Sequence, residues 1–203
     1  MRLFLYAGAA MMIAGLCPMA SAQAPSEFEW PCVQQKVPVV AASTVWSGPD
    51  LEEVGSWQAD SDAALLVQRL ASRRTRTEEI DPLIEAFAEQ AGERKAERLT
   101  RVFAGVLDVI NTERSRIIAG IERYARGQNE LAEKIREEAD KITAAKDGPA
   151  TEPTKELQEL ETRFQWDKRI FEERSHALSS VCETPVLLEQ RLFEIARSIQ
   201  QHL

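Results

Sequence analysis

The cysteines are the residues from which covalent chemistry is most readily expected. Cys17 lies in an apolar stretch at the start of the chain, which leaves Cys32 and Cys182 beyond it. A catalytic thiol needs a base at hydrogen-bonding distance. The one histidine near a cysteine, His176, precedes Cys182 by six residues, a spacing that places them on different faces of a helix.

The first 22 residues predict a cleavable signal peptide. Arg2 supplies the positive start, residues 3–16 are apolar but short for a membrane span, and Ala20-Ser21-Ala22 is a small-residue cleavage site. We expect the mature chain to begin at Gln23 and to have no integral membrane segment. The expected compartment is the periplasm, or the protein is secreted.

The predicted export of the protein determines the oxidation state expected for the two remaining cysteines. In an oxidising compartment a pair of cysteines commonly forms a disulfide. We therefore expect a Cys32–Cys182 bond, with two buried free thiols as the alternative. The bond would tie the start of the mature chain to a position near its end.

Other catalytic patterns are missing from the sequence. We find no metal-ligand spacing of histidines and cysteines, no glycine-rich phosphate loop and no serine nucleophile elbow. Adjacent carboxylates at residues 137–138 and 172–173 have no partner that would make them an acid and base pair. We therefore expect that the protein is not an enzyme and that it has no catalytic residue, cofactor or metal site.

Aromatic residues suggest a second kind of chemistry, the binding of a small ligand. Residues 23–58 contain four prolines and three of the four tryptophans, Trp30, Trp46 and Trp57. The prolines exclude a helix through most of the segment, so we expect an extended strap over a helical body. A short strand over 37–45 and a short helix opened by Asp50 are its only predicted elements. The tryptophans are candidates for packing anchors or for a ligand pocket.

The charge balance restricts the partners. A formal net charge of −8 disfavours nucleic acid and anionic membrane surfaces. The one basic cluster, at residues 69–76, is typical of cations in the last turn of a helix, where the helix dipole stabilises them.

A long helix organises the chain. Residues 93–146 contain no proline, and apolar residues recur at alternating spacings of four and three. Arg114 and Gln128 interrupt the apolar seam, and the repeat passes through Gly127 without a change of phase. A seven-residue repeat sustained over about five heptads predicts a coiled coil.

A second long helical pattern follows the first and has the same seven-residue spacing. After the stop signal at 147–149 and the restart at 151–153, Leu157, Phe164, Phe171 and Leu178 recur at sevens. A short connection predicts an antiparallel hairpin. In the expected register Ile142 meets Leu157, Ile135 meets Phe164, Gln128 meets Phe171, and Ile121 meets Leu178. Thr184 and Pro185 predict the end of this helix and the start of a final one.

Shorter helices complete the body. We expect one from Asp62 to Arg73, with Leu65, Leu66 and Leu70 buried, and one that begins at Asp81-Pro82 and bends at Gly92. The predicted fold class is all-α: a long antiparallel coiled-coil hairpin (117–178) on a small helical-bundle base (59–116 and 179–203), with an extended N-terminal strap (23–58). The helical domain as a whole is 59–203.

The hairpin carries more apolar side chains than one seam can cover, and apolar residues exposed on a protrusion suggest a contact surface. The alternatives are a folded-back hairpin or a second copy in a dimer. The candidate surface consists of Tyr124, Leu131, Ile135, Phe164, Trp166, Ile170 and Phe171.

Two functions are compatible with these patterns. The first is an exported, non-enzymatic interaction, scaffold or adaptor protein that binds another envelope protein, or itself, through the hairpin. The second is a small-ligand carrier in which Trp30, Trp46 and Trp57 lie over the helical base. We expect no nucleic-acid partner for either.

Overall fold

The computed structural model of the protein describes residues 30–148 and 154–203. Within these ranges the chain forms four α-helices and several short 3-10 helices, and no β-strand is found among them. The all-α prediction is therefore confirmed. The predicted signal peptide, the start at Gln23 and the restart at 151–153 lie outside the described residues. The α-helices are α1 (Ser61–Ala71), α2 (Ile80–Ala91), α3 (Lys95–Lys146) and α4 (Lys155–Gln201).

The two long helices confirm the two long patterns. Helix α3 has 52 residues and runs through Gly127 without interruption. Gly92, with φ of 54°, separates it from α2, so the predicted bend is a true break. The Thr154 side chain accepts a hydrogen bond from the Leu157 amide and so caps the start of α4.

Helix α4 corrects the prediction that a helix ends at Thr184. It continues through Pro185 to Gln201. Proline has no amide hydrogen, so the helix loses one internal bond at this level. Two side chains from elsewhere bind carbonyls around it: Gln34 donates to the Cys182 carbonyl and Arg114 donates to the Pro185 carbonyl. These tertiary contacts hold the helix together where a local rule predicts its end.

The short helices begin where the sequence indicates, with two corrections. Asp60 caps α1 by accepting a hydrogen bond from the Ala63 amide. Leu65 was expected to be buried but is 72% exposed, because it lies on the solvent side of α1. Asp81 is not the cap of α2: a 3-10 turn at Thr77–Glu79 leads into the helix, and the Asp81 carboxylate binds Ser198 instead.

The described part of the strap, residues 30–58, has no strand, and no helix begins at Asp50. A 3-10 helix occupies Ala42–Thr44, within the segment where a strand was predicted. Asp50 accepts from the Glu52 amide in a local turn. Side chains of α3 satisfy the strap's backbone in place of a sheet partner, since Asn111 both donates to and accepts from Val40.

The main core lies at one end of the helix pair. It joins α1, α2, the first part of α3, the last part of α4 and the strap around Val40 and Val45. Leu99, Phe103, Leu192 and Ile195 are fully buried there. A second, smaller cluster lies further along the pair, where Cys32 and Cys182 pack with Ile121.

The helices run antiparallel, with contacts in the predicted register. Gln128 of α3 donates to the Phe171 carbonyl of α4, and Ile121 and Leu178 share the second cluster. Coiled-coil geometry stays a prediction. The polar interruptions are not errors in the pattern, because the Arg114 and Gln128 side chains both bond to carbonyls of α4.

Candidate interaction surface on the distal helix pair

The distal pair, defined as residues 123–146 of α3 and 155–174 of α4, is the candidate functional region. The contacts of the described strap residues, 30–58, reach Glu122, through Lys36, and Ser175, at the edge of the cavity beside Cys32. The hydrophobic contacts of α3 with the main core extend to Ile117. Arg126 apart, no hydrogen bond, ion pair or hydrophobic cluster of the described residues joins the distal pair to a third element.

Polar and charged side chains hold the two distal helices together. Lys134 Nζ lies 2.7 Å from Asp167 Oδ2, and Lys146 Nζ lies 2.7 Å from Glu161 Oε1. The hydrogen bond to Asp167 raises the pKa of Lys134, against the opposing effect of desolvation. The only hydrophobic side chain of α3 buried on the described distal pair beyond Ala125 is that of Ile142. Much of the apolar surface of these helices is therefore only half-buried.

The seven residues of the predicted contact surface divide into two groups. Trp166 is 57% exposed and Tyr124 is 37% exposed, with the Tyr124 hydroxyl donating to the Arg174 carbonyl. The others lie half-buried along the pair. The half-buried members are Leu131, Ile135, Phe164, Ile170 and Phe171.

Cations accompany the exposed aromatic residue, a feature that the sequence analysis missed. The Arg169 guanidinium carbon lies 5.2 Å from the centre of the Trp166 ring, and Lys168 Nζ lies 5.6 Å from that of Phe164. Arg163 is exposed three residues before Trp166. The signal that would have found this arrangement is the i±3 spacing of two arginines about a tryptophan, which places all three on one helix face.

The predicted tryptophan pocket is not assembled in one place. Trp46 stacks on Phe103 with ring centres 4.1 Å apart, and its Nε1 donates to the Pro49 carbonyl. The Trp57 ring would lie 2.9 Å from a Cβ added at Gly105, so it packs on the α3 backbone. These two tryptophans belong to the main core.

Trp30 belongs to the second cluster and not to the main core. Its Nε1 donates to the Gln34 carbonyl 2.7 Å away. The ring borders a cavity of about 190 Å³ that Arg114, Ile118 and Val186 also line. The three tryptophans thus serve two separate packing sites, and their N–H groups are engaged with the protein.

The predicted disulfide is present. Cys32 and Cys182 are at disulfide distance, with Cα atoms 5.6 Å apart and 150 residues between them in sequence. Both side chains are largely buried. His176 is exposed on α4 and has no described contact with Cys182.

The ranges 30–148 and 154–203 contain no candidate metal site and no candidate membrane-spanning helix. No cluster of three histidine, cysteine or carboxylate residues there is arranged to hold a metal ion. None of the helices in that part of the chain is both long and apolar enough to cross a bilayer.

Comparison with known proteins adds no assignment. The chain matches no protein-family model, and searches of curated proteins and of solved structures gave no significant match.

Proposed function

We propose that the protein is an exported, non-enzymatic interaction module that binds another envelope protein through its distal helix pair. In this proposal the pair is a coiled-coil hairpin that projects from the helical base. The observation that carries the proposal is the exposed Trp166, on a helix pair that also carries Tyr124 and half-buried apolar residues and that extends beyond the main core and the second cluster. Exposed aromatic residues on a protruding element are typical of protein contact sites.

The arrangement of polar contacts supports the same proposal. The distal helices bind each other through Lys134–Asp167 and Lys146–Glu161. Both ion pairs bridge α3 and α4, and Trp166 takes part in neither. The Cys32–Cys182 bond is compatible with an oxidising compartment, as export requires.

A distal truncation tests the proposal. Replacing residues 126–173 with a short glycine and serine turn joins positions that lie opposite each other in the observed register. The truncation retains Ile121, Leu178 and the disulfide, which form the second cluster. We expect a folded, helical base that no longer co-purifies with the partner of the full-length protein from the cells that produce it.

The control is Leu65→Ala, which removes an exposed apolar side chain from α1 on the base. This variant should retain the partner. A folded truncation that recovered the same partner in the same yield would place the binding surface on the base and would contradict the proposal.

The small-ligand carrier is the second candidate function. It is favoured by the cavity of about 190 Å³ beside Trp30 and Arg114. The separation of Trp30 from Trp46 and Trp57 removes the shared pocket on which that function depended. Native mass spectrometry of protein purified from its source would show an added mass if a ligand were carried.

A further inference from the structure

Exposed apolar side chains are concentrated on the part of α4 that belongs to the base. Of the ten large apolar residues that are exposed in the described chain, four lie between Val181 and Phe193. Val186 and Phe193 are 38% and 41% exposed, and they share one side of the helix because they lie seven residues apart. Single exposed apolar residues are normal on a protein surface, whereas a concentration of them on one helix points to a contact.

These two residues belong to a regular stripe on the outer side of α4. Glu183, Val186, Gln190, Phe193 and Arg197 follow one another at spacings of three and four residues, and all five are exposed. Such spacings place side chains in one line along a helix, which is the pattern by which one helix pairs with another. The main core buries the opposite side of the same segment. We call these five residues the outer stripe.

The outer stripe is complementary to a reversed copy of itself. A two-fold axis at Gln190 places Glu183 opposite Arg197 of a second copy, and it places Val186 opposite Phe193 of that copy, because both pairs are centred at or beside position 190. Opposite charges then meet at both ends of the contact, and apolar residues meet between them. In a parallel pairing each residue would instead lie opposite its own copy, so that like charges would meet.

The two end charges are available for such a contact. Glu183 and Arg197 are exposed, and neither side chain has a described ion pair or hydrogen bond. The two carboxylates of α4 that border the outer stripe, Glu189 and Glu194, already contact residues of the same chain: Arg114 at 3.3 Å and the Thr77 hydroxyl at 3.4 Å. The bordering carboxylates therefore leave the pairing of Glu183 with Arg197 as the main electrostatic feature of the stripe.

Apolar surface continues on both sides of the outer stripe. On one side, Val186 lines a cavity together with Val37 of the strap, which is 43% exposed, and the half-buried Trp30. On the other side, Leu187 is 56% exposed. A second copy of the helix seated on the stripe would cover part of this surface.

We propose that the outer stripe is the interface of an antiparallel, two-fold symmetric dimer of this chain. The inference concerns the base and is independent of the partner proposed for the distal pair. Trp166 lies 24 residues from Gln190, whereas α4 of the second copy ends 11 residues from the axis, at Gln201. The dimer therefore leaves Trp166 uncovered and directs the two distal pairs away from each other. With the proposed function, one dimer would hold two partner molecules at opposite ends.

Cysteine crosslinking of the full-length mature protein tests the position of the axis. A residue on a two-fold axis contacts its own copy, so Gln190→Cys should form a disulfide-linked dimer under mild oxidation. The control is Gln201→Cys, which is exposed on the same side of α4. In this arrangement position 201 lies about 33 Å from its copy, at 1.5 Å per residue, so the control should stay monomeric on a non-reducing gel.

A charge exchange followed by sedimentation equilibrium tests the ion pairs. Glu183→Arg should weaken the dimer roughly tenfold or more, because a symmetric interface contains the pair twice and both copies become repulsive. Arg197→Glu should have the same effect. Combining the two substitutions restores opposite charges and should restore the dimer.

A matched variant controls for net charge. Glu89→Arg changes the total charge by the same amount as Glu183→Arg, at an exposed position on α2. This variant should dimerise as the unaltered protein does.

Three results would overturn the inference. The first is a protein that stays monomeric up to about 1 mM. The second is a dimer that neither single charge reversal weakens or that the combined exchange does not restore. The third is equal crosslinking at positions 190 and 201. Capture of a partner by the distal pair is measured separately, so the loss of the dimer would leave the proposed function in place.

Discussion

At the scale of residues, Asp60 is the most highly connected carboxylate in the base. It caps α1 through the Ala63 amide and accepts two hydrogen bonds from Arg98, at 2.7 and 2.8 Å. The bond from Arg98 is the main reason that the pKa of Asp60 falls to about 2, against desolvation, which raises it. One side chain thus joins α1 to α3.

Acid should therefore weaken the protein through this residue. Because the pKa of Asp60 is lower in the folded state than its ordinary value of 3.8, its contribution to stability is complete above about pH 4 and is lost as the pH falls towards 2. Asp60→Asn should cost about 1–2 kcal/mol at neutral pH. Urea unfolding at a series of pH values should also show a smaller loss of stability in acid for this variant than for the unaltered protein.

Two glycines of α3 make a matched pair. A Cβ at Gly105 would lie 2.6 Å from Val67 Cγ2, whereas a Cβ at Gly127 would meet nothing within 4 Å. Gly127→Ala should stabilise the protein by about 0.5–1 kcal/mol, since alanine favours a helix interior. Gly105→Ala should destabilise it by about 1–3 kcal/mol through overpacking. Thermal unfolding of both variants checks the pair, and equal shifts would contradict the close packing of α1 on α3.

At the scale of elements, the level of α4 with the weakest internal hydrogen bonding lies near Pro185, on the base side of the distal pair. Helix α4 lacks one internal hydrogen bond there, and three contacts compensate: the Cys32–Cys182 bond, Gln34 on the Cys182 carbonyl and Arg114 on the Pro185 carbonyl. Arg114 also donates to the Val37 carbonyl at 2.7 Å, although burial lowers its pKa. Contacts from the strap therefore stabilise α4 where the helix lacks an internal hydrogen bond.

Removing the disulfide should destabilise α4 around Pro185 more than any other part of the helix. Cys32→Ser with Cys182→Ser should cost about 2–4 kcal/mol, because the bond closes a long loop in the unfolded chain. Amide hydrogen exchange should rise in residues 178–188 of α4 and in the strap before Val37, with little change around Leu192 and Ile195. Uniformly faster exchange along α4 would contradict a local stabilisation of the helix by the strap.

The same elements explain how far the sequence can be interpreted. The heptad spacing predicted both long helices and placed Gln128 opposite Phe171, because a periodic apolar pattern depends on local geometry. The end predicted at Thr184 was wrong because Gln34, Arg114 and Cys32, all distant in sequence, support the helix through Pro185. Local rules contain no information about such partners.

The candidate site was predictable in part, again because helical spacing depends on local geometry. An excess of apolar residues on the second long pattern pointed to Trp166, which is exposed. The flanking arginines needed only helix spacing to be recognised. The separation of Trp30 from Trp46 and Trp57 was not predictable, since it depends on how the strap crosses two different packing sites.

At the scale of the whole molecule, we expect the base to supply stability and the distal pair to supply binding. The fully buried large side chains lie mostly in the main core, whereas the distal pair is joined by ion pairs and half-buried contacts. Substitutions in the distal pair that leave its ion pairs intact should change partner binding with little change in stability.

Site-specific photo-crosslinking in the producing cells tests most directly whether the distal pair binds the partner. A photo-reactive residue replaces Trp166 in one strain and Leu65, which is also exposed but lies on the base, in another. We predict one heterologous adduct of defined mass at position 166 and none at position 65. No adduct at position 166, the same adduct at both positions, or an adduct with a second copy of this chain would contradict it.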